Sequence, residues 1–135
     1  MALNILFIED DKIEAMKLNR IISKLGLKHE IIEARNGEDA LAILNGENKL
    51  PDIILVDLNM PKISGIEFLK LLKANDILKF IPAIVMTTSN KQNDILECYK
   101  IGIAGYIIKP LKYEDYIDKL KKVLEYWSIN ELSTI

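Results

Sequence analysis

The chain has 135 residues, of which 50% are hydrophobic and 28% are charged, and its formal net charge is −2. This charge excludes a general attraction to nucleic acid or anionic membranes, and no apolar stretch approaches the roughly 18 residues of a membrane span. The single Cys98 excludes an internal disulfide, and the single His29 excludes a multi-histidine metal centre. We therefore expect one cytoplasmic domain over residues 1–127, followed by a C-terminal tail over residues 128–135.

Five short apolar runs alternate with stretches of helical periodicity. The runs predict β-strands because they are short and rich in β-branched residues. They cover residues 3–8, 30–34, 53–56, 83–87 and 106–108. The intervening stretches predict helices over residues 12–25, 38–44, after Ser64, over 91–101 and from about Tyr113. This alternation indicates βαβ units, a parallel sheet and helices on both of its faces.

Cap residues mark the ends of three predicted helices. Asn36, with Gly37 behind it, is typical of the N-cap of the second helix. Ser64 followed by Glu67 has the spacing of a capping box at the start of the third. Gly102 predicts the end of the fourth.

Polar side chains follow four of the five predicted strands. The sets are Glu9-Asp10-Asp11 after strand one, Asp57 after strand three, Thr87-Thr88-Ser89 at the end of strand four, and Lys109-Pro110 after strand five. Ligands of an open parallel sheet bind beyond the carboxyl ends of its strands. If strands one and three are neighbours, Glu9, Asp10 and Asp57 lie within a few ångströms of one another. Each set taken alone is more often a helix cap, a loop cap or a surface turn than part of a functional site. Their occurrence together favours a functional site.

The chemistry of such a site follows from its charges. Three crowded carboxylates repel each other, so a cation has to offset them. Lys109 provides one, and Mg²⁺ suits a set of oxygen ligands because it needs only one or two carboxylates. An aspartate such as Asp57 can attack phosphorus and form an aspartyl phosphate. A lysine and a hydroxyl then stabilise the charge on the phosphoryl oxygens.

Four segments carry a resemblance to a known family: "ILFIEDD", "DIILVDLNMPKISG", "IPAIVMTTS" and "GYIIKPL". Over roughly residues 3–125 the chain resembles the receiver domain of bacterial two-component response regulators, of the stand-alone type. The resemblance implies an α/β, flavodoxin-like, doubly wound parallel sheet of strand order 2-1-3-4-5 in a single domain. It also implies a phosphorylation-dependent signalling switch that is not an enzyme and has no attached output domain.

The resemblance assigns roles at the phosphorylation site. Asp57 is implied as the phosphoacceptor. Glu9, Asp10 and Asp57, with the backbone carbonyl of Asn59, are implied as the ligands of Mg²⁺. Lys109 is implied as the cation that pairs with the phosphoryl group.

Other roles concern the switch and the surrounding loops. Thr87 is implied as the hydroxyl that follows the phosphoryl group, and Tyr106 as an aromatic residue that changes rotamer with it. Pro61 and Gly65 are implied to shape the loop beside the phosphoacceptor. Pro110 follows the lysine in what the family makes a cis peptide bond.

A weaker resemblance concerns partners. Cys98-Tyr99 and the segment "YWSINEL" resemble stand-alone receivers that partner phytochrome-type or hybrid sensor kinases. The simpler interpretation is that Cys98 packs in the core and that Tyr126 and Trp127 finish a helix. We expect a sensor histidine kinase or phosphotransfer protein as donor, and a downstream protein on the face of helix 4, strand 5 and helix 5. Neither nucleic acid nor a membrane is expected as a partner, and a homodimer is left open.

The first helix has a second surface opposite its core face. At 100° per residue, the apolar residues at 18, 21, 22 and 25 face the sheet. The opposite side carries Ile13, Met16, Lys17, Arg20 and Lys24. Exposed apolar residues among basic ones, next to the acids, predict a docking surface for the phosphodonor at Ile13, Met16, Lys17 and Arg20. The alternative is a solvated basic helix face.

Three other functions fit parts of the sequence. A phosphatase or mutase with an aspartyl nucleophile usually carries a second acid two residues later, where this chain has Asn59. A flavodoxin has a Ser/Thr/Gly-rich phosphate loop after strand one, which is missing here. A degenerate receiver that only scaffolds would lack the acids and the lysine, and both are present.

Overall fold

A computed structural model of the chain describes residues 2–47 and 49–133. The elements follow the order β1 Asn4–Ile8, α1 Lys12–Lys24, β2 Glu30–Ala34, α2 Gly37–Leu44, β3 Ile53–Val56, α3 Gly65–Ala74, a 3₁₀ helix at Leu78–Phe80, β4 Ala83–Thr87, α4 Gln92–Ile101, β5 Gly105–Ile108 and α5 Tyr113–Ser128. The strands form one parallel sheet of order β2-β1-β3-β4-β5. The predicted flavodoxin-like topology is confirmed.

The two faces of the sheet carry separate layers of helices. Leu6 and Ile8 of β1 pack with α2, α3 and α4, whereas Ile5 and Phe7 pack with α1 and α5. Because successive side chains of a strand point to opposite faces, a strand covered on both sides must be apolar throughout. β3 is buried at all of its positions for this reason. Cys98 packs in the layer of α2, α3 and α4, as predicted.

The helix ends follow the predicted caps. The side chain of Asn36 accepts a hydrogen bond from the Asp39 amide at 2.8 Å, and Ser64 Oγ accepts one from the Glu67 amide at 3.2 Å. Gly102 ends α4 with a φ of 115°, which favours glycine. Helical periodicity and cap chemistry were therefore sufficient to place the helices.

One short element was missed. The 3₁₀ helix at Leu78–Phe80 begins where Asn75 Oδ1 accepts hydrogen bonds from the amides of Ile77 and Leu78, at 2.9 and 3.0 Å. A helix of three residues is too short to produce a periodic hydrophobic pattern.

The C-terminal segment differs slightly from expectation. α5 continues through Ser128, so the segment predicted as a tail begins within this helix. Leu132 packs against the core layer of α1 and α5, and Ser133 Oγ donates to the Phe80 carbonyl oxygen at 3.2 Å. Residues 134 and 135 lie outside the described residues. Within the described residues, no helix combines the length and apolarity needed to cross a bilayer.

The peptide bond between Lys109 and Pro110 corrects an expectation. The family resemblance implies a cis bond, but residues 2–47 and 49–133 contain no cis peptide bond. The bond is trans, the isomer that an X–Pro bond intrinsically prefers.

Candidate functional site

The candidate site lies at the carboxyl edge of the sheet, where the chain order of the strands reverses. β1 lies between β2 and β3, so the loops that follow β1 and β3 leave the sheet in opposite directions and open a crevice between them. Glu9 follows β1, Asp57 follows β3 and Lys109 follows β5. The predicted site residues therefore come from segments that are far apart in sequence.

Lys109 joins the two buried acids. Its Nζ lies 2.9 Å from Glu9 Oε1 and 3.1 Å from Asp57 Oδ2. The other oxygen of Asp57, Oδ1, accepts a hydrogen bond from the Asn59 amide at 3.1 Å. Both oxygens of the Asp57 carboxylate are therefore held in place.

The electrostatics follow from burial and from this shared lysine. Burial raises the pKa of Glu9 to about 7, and the Asp57 charge adds to the rise while Lys109 opposes it. Burial by itself lowers the pKa of Lys109, but its hydrogen bonds to the two carboxylates outweigh that effect and hold the pKa above its usual range. Lys109 is therefore cationic at neutral pH, and its charge offsets part of the cost of burying the Glu9 carboxylate.

Asp10 departs from the expected cluster of three acids. It is exposed, and the described residues contain no group of three acidic, His or Cys side chains placed to hold a metal ion. The ammonium of Lys109 pairs with the carboxylates of Glu9 and Asp57 and not with that of Asp10. The prediction that three carboxylates crowd together was wrong in this respect.

Asp11 has a different role from its two neighbours. Its Oδ1 accepts a hydrogen bond from the Ile13 amide at 2.9 Å and caps the N-terminus of α1. The acidic triplet therefore divides into a helix cap, an exposed acid and a buried ion-pair partner. The cap interpretation is confirmed for Asp11, and the site interpretation stays a prediction for Glu9 and Asp10.

The donor set fits a hard divalent cation. Two buried carboxylates, from Glu9 and Asp57, already converge on one positive charge. Mg²⁺ is held by one or two carboxylates and keeps several waters, so it does not require a group of three acidic side chains. Asp10 follows Glu9 in sequence, Asn59 follows Asp57 by two residues, and both are exposed. A metal ion held by these residues would therefore face solvent.

Thr87 and Tyr106 connect the edge of the sheet to the loop that precedes α4. The Thr87 side chain is fully buried, and its Oγ1 accepts a hydrogen bond from the Ser89 amide at 3.4 Å. The Tyr106 hydroxyl donates to the Ser89 carbonyl oxygen at 2.9 Å. Ser89 Oγ in turn donates to Asp94 Oδ2 at 2.6 Å. Ser89 therefore ties both predicted switch residues to α4.

Gly65 is required by the approach of two backbone segments. A Cβ at this position would lie 2.5 Å from the carbonyl oxygen of Asp57 and 2.5 Å from Cα of Leu58. Any larger residue would displace the backbone of Asp57 and Leu58. In the same loop Lys62 adopts a φ of 65°, which is unfavourable for a residue that carries a Cβ. Pro61, which precedes it, is exposed.

The residues predicted as a docking surface lie on the outer side of α1. Ile13 is 64% exposed and Met16 is 59% exposed, while Arg20 is exposed beside them. Lys17 Nζ pairs with Glu14 at 3.1 Å. The core-facing positions of the same helix are buried, so the two faces are divided as the periodicity predicts.

Two residues with a place in the site were missed. Asp94 was not recognised as the partner of Ser89, because its position five residues after the serine matches no capping pattern. Helical periodicity places Tyr116 among the apolar positions of the fifth helix. A tyrosine at a core-facing position signals a buried hydroxyl that needs a partner, and this signal was available.

Comparison with known proteins identifies the family. The sequence profile described as "Response regulator receiver domain" matches residues 5–121. The probable methanogenesis regulatory protein FilR2 of Methanothrix harundinacea is 36% identical over 127 residues, which cover 91% of this chain and 82% of that protein. Response regulator Rcp1 of Synechocystis sp. is 31% identical over 128 residues, which cover 91% of this chain and 87% of that protein.

Solved structures agree with this assignment. The crystal structure of the phosphorylated cyanobacterial phytochrome response regulator RcpA is similar with a TM-score of 0.91 at 30% identity, covering 99% of this chain and 100% of that one. The Mn²⁺-bound form of response regulator Rcp1 is similar with a TM-score of 0.90 at 31% identity, covering 98% and 99%. The chain belongs to the response regulator receiver domain family.

Proposed function

We propose that this receiver domain is a signalling switch in which Asp57 accepts a phosphoryl group. The observation that carries the proposal is the buried Asp57 carboxylate, held by Lys109 at one oxygen and by the Asn59 amide at the other. A nucleophile fixed at the tip of a buried strand loses little freedom when it reacts. The modification is stoichiometric, and we expect no turnover of an external substrate.

The proposed donor is the phosphohistidine of a kinase or phosphotransfer protein. A carboxylate oxygen of Asp57 forms a bond to phosphorus while the bond between phosphorus and the imidazole nitrogen breaks. The electron pair stays on that nitrogen, and the ring, protonated at its second nitrogen, leaves as neutral histidine. Lys109, 3.1 Å from Asp57, then donates to the phosphoryl oxygens and stabilises their charge.

The residues that would hold Mg²⁺ are Glu9, Asp10, Asp57 and the backbone carbonyl of Asn59. The bound ion supplies a Lewis acid for the phosphoryl oxygens. The Mn²⁺-bound form of the relative Rcp1 supports the binding of a divalent ion by a chain of this fold.

Phosphorylation would reach the surface of α4, β5 and α5 through Thr87 and Tyr106. The phosphoryl group adds about −1.5 to −2 charges and three acceptor oxygens, and the Thr87 hydroxyl is the proposed donor to one of them. A shift from 1:99 to 99:1 requires about 5.5 kcal/mol of differential interaction. One hydrogen bond to a charged group contributes ~1.5–3 kcal/mol. Thr87 therefore accounts for part of the shift, and Lys109 contributes the rest.

This switch must break a contact seen in the structure. Movement of Tyr106 releases its hydrogen bond to the Ser89 carbonyl oxygen, and with it the loop that precedes α4. The downstream protein would then bind the altered face, which includes exposed Leu96, Tyr99 and Ile108.

The relatives point to the class of sensor. RcpA is a phytochrome response regulator, and its structure covers nearly all of this chain. We therefore infer a phytochrome-type sensor histidine kinase, or a phosphotransfer protein, as the donor. It would dock on Ile13, Met16, Lys17 and Arg20. A cytoplasmic location and a homodimer stay predictions.

Phosphorylation with acetyl phosphate tests the proposal. Wild-type protein should gain the mass of one phosphoryl group when Mg²⁺ is present and none when it is chelated. Asp57→Asn should gain none. Asp76→Asn, which removes an aspartate whose side chain is 98% exposed, is the matched control and should react as wild type does. Equal labelling of Asp57→Asn and wild type would overturn the assignment of Asp57.

Amide NMR tests the switch. Thr87→Ala should still accept the beryllofluoride mimic with Mg²⁺ but should respond weakly over residues 90–110. A response as large as that of wild type would remove Thr87 from the mechanism.

A further inference from the structure

The hydroxyl of Tyr116 is a buried polar group without a partner. Tyr116 lies in α5, is 5% exposed and packs in the core layer shared with α1. Its oxygen is inaccessible and makes no hydrogen bond to any of the described residues. A buried hydroxyl without a partner destabilises a fold, so its presence at a core position requires an explanation.

The surroundings of Tyr116 connect it to the phosphorylation site. A cavity of about 220 Å³ lies between α1 and the loop that precedes α5, and Lys109 and Tyr116 both line it, with Lys17, Glu14 and Thr88. Burial raises the pKa of Tyr116 to about 12, while the charge of Lys109 opposes the rise. Glu14, Glu9 and Asp57 add to it. The hydroxyl therefore lies within electrostatic reach of the shared ion pair.

Lys109 has one hydrogen-bond donor to spare. An ammonium group carries three N–H donors, and the structure gives Lys109 two acceptors, Glu9 and Asp57. Its backbone amide donates to the Thr87 carbonyl oxygen at 2.8 Å, which fixes the base of the side chain. Only the flexible end of the lysine is therefore free to change partners.

We propose that Tyr116 is a positioning residue whose hydroxyl accepts a hydrogen bond from Lys109 when Glu9 turns toward a divalent metal ion. The inference rests on the proposed function, because it requires Glu9 to be a metal ligand. A Glu9 oxygen shared with a second cation binds the ammonium less strongly, since the two positive charges repel each other. Lys109 then needs a new acceptor inside the protein. The Tyr116 hydroxyl can accept its hydrogen bond without a further loss of hydration, because it is already buried.

This role predicts opposite effects of Tyr116→Phe in two states. Without metal, the variant loses only a hydroxyl that has no partner, so its stability should equal or exceed that of wild type. With metal, it loses the acceptor for Lys109, so its affinity for Mg²⁺ should fall about tenfold, the equivalent of one hydrogen bond to a charged group. A purely structural role would lower stability and leave the affinity for Mg²⁺ unchanged.

Calorimetric titration with Mg²⁺ alone, combined with urea unfolding in chelator, separates these outcomes. Tyr113→Phe is the control, because Tyr113 belongs to the same helix and lines the same cavity but is 40% exposed. Its affinity should match that of wild type. Equal Mg²⁺ affinity in Tyr116→Phe and wild type would overturn the role of Tyr116 and leave the proposed function intact. Failure of wild type itself to bind Mg²⁺ would overturn the proposed metal site as well.

A spectroscopic measurement on wild-type protein does not depend on whether the variant folds. Tyrosine labelled with ¹³C at the ring carbon that carries the hydroxyl reports its hydrogen bonding. The Tyr116 resonance should shift when Mg²⁺ is added, while that of Tyr113 should stay in place. An unchanged Tyr116 resonance at saturating Mg²⁺ would contradict the inference.

Discussion

Two partly buried lysines, one at each end of the sheet, differ in what they bind. Lys109, at the carboxyl end, donates to two carboxylates. Lys73, at the amino end, donates to the backbone carbonyl oxygens of Lys79 and Ile81 at 2.8 and 3.1 Å. Burial lowers the pKa of Lys73, because carbonyl dipoles do not replace the lost hydration. Burial acts on Lys109 as well, but two full negative charges hold its pKa above the usual range.

The same contrast extends to the other polar groups of the two ends. At the amino end, His29 Nδ1 accepts a hydrogen bond from the Leu3 amide at 2.9 Å, and Asp52 Oδ2 accepts one from the Asn4 amide at 2.8 Å. These side chains complete the hydrogen bonds of the backbone. At the carboxyl end, Glu9, Asp57 and Lys109 bind one another through their side chains, and Asp57 also accepts a hydrogen bond from the Asn59 amide. Charged side chains therefore bind backbone groups at the amino end, whereas at the carboxyl end they also form a shared ion pair.

The largest expected effect is on the stability of the lysine variants. Lys109→Met leaves two buried carboxylates without a cation, which costs about 3–5 kcal/mol in the free energy of unfolding. Lys73→Met removes hydrogen bonds to neutral carbonyls and costs about 1 kcal/mol. Urea unfolding at pH 8 without metal measures both. Equal losses in the two variants would show that the two ends of the sheet do not differ as described.

A smaller effect is expected at the docking surface beside the carboxyl end. Reversal of charge at Lys17 and Arg20 to glutamate should slow transfer from a protein donor roughly tenfold, because opposite charges no longer steer the encounter. Labelling by acetyl phosphate should not change. The control is the same reversal at Lys28 and Lys121, two exposed lysines outside the docking surface.

Stopped-flow or gel-based transfer assays would measure both pairs of variants. Slower reaction with both kinds of donor would mean that the outer face of α1 supports the site rather than a partner.

The amino end should respond to acid through His29. Burial lowers the pKa of His29, and the positive charge of the amino terminus adds to the effect. The unfolded chain then binds a proton more readily than the folded one, so stability is complete above about pH 6.5 and falls as pH decreases. The loss from pH 7.5 to 5 should be less than about 1 kcal/mol.

His29→Asn tests this assignment. It keeps an acceptor for the Leu3 amide but does not titrate in that range. Its stability should therefore depend less on pH than that of wild type, as measured by urea unfolding across the interval. An identical dependence in both proteins would assign the acid sensitivity to other groups, such as Glu125 and Lys28, which line a surface cavity together with His29.

The smallest expected effect is a gain in stability. Lys62→Gly relieves a positive φ in the loop beside Asp57 and should raise the free energy of unfolding by up to about 1 kcal/mol. Lys70→Gly, in the middle of α3, should lower it by about 1 kcal/mol. A lower free energy of unfolding in Lys62→Gly would show that the Lys62 side chain contributes more to stability than its positive φ costs.

Much of the fold and of the site could be predicted because the signals are local. The strand that ends at Asp57 and the cap at Ser64 depend on residues within a few positions of each other. The burial of Glu9 beside Lys109, and the exposure of Asp10, depend on the packing of segments 100 residues apart. Which of two adjacent acids faces a distant lysine is decided by tertiary structure, and no local pattern encodes it.

The burial of Cys98 has a practical consequence. It is the single cysteine of the chain, and its side chain is fully buried. Burial raises its pKa to about 11, with the charges of Asp94 and Glu97 adding to the effect. The reactive thiolate is therefore almost absent from the native protein at neutral pH. Alkylation of Cys98 requires α4 to open, so the rate of thiol labelling measures how often this helix leaves the sheet. A fluorophore can also be attached to an engineered surface cysteine without removing the native one.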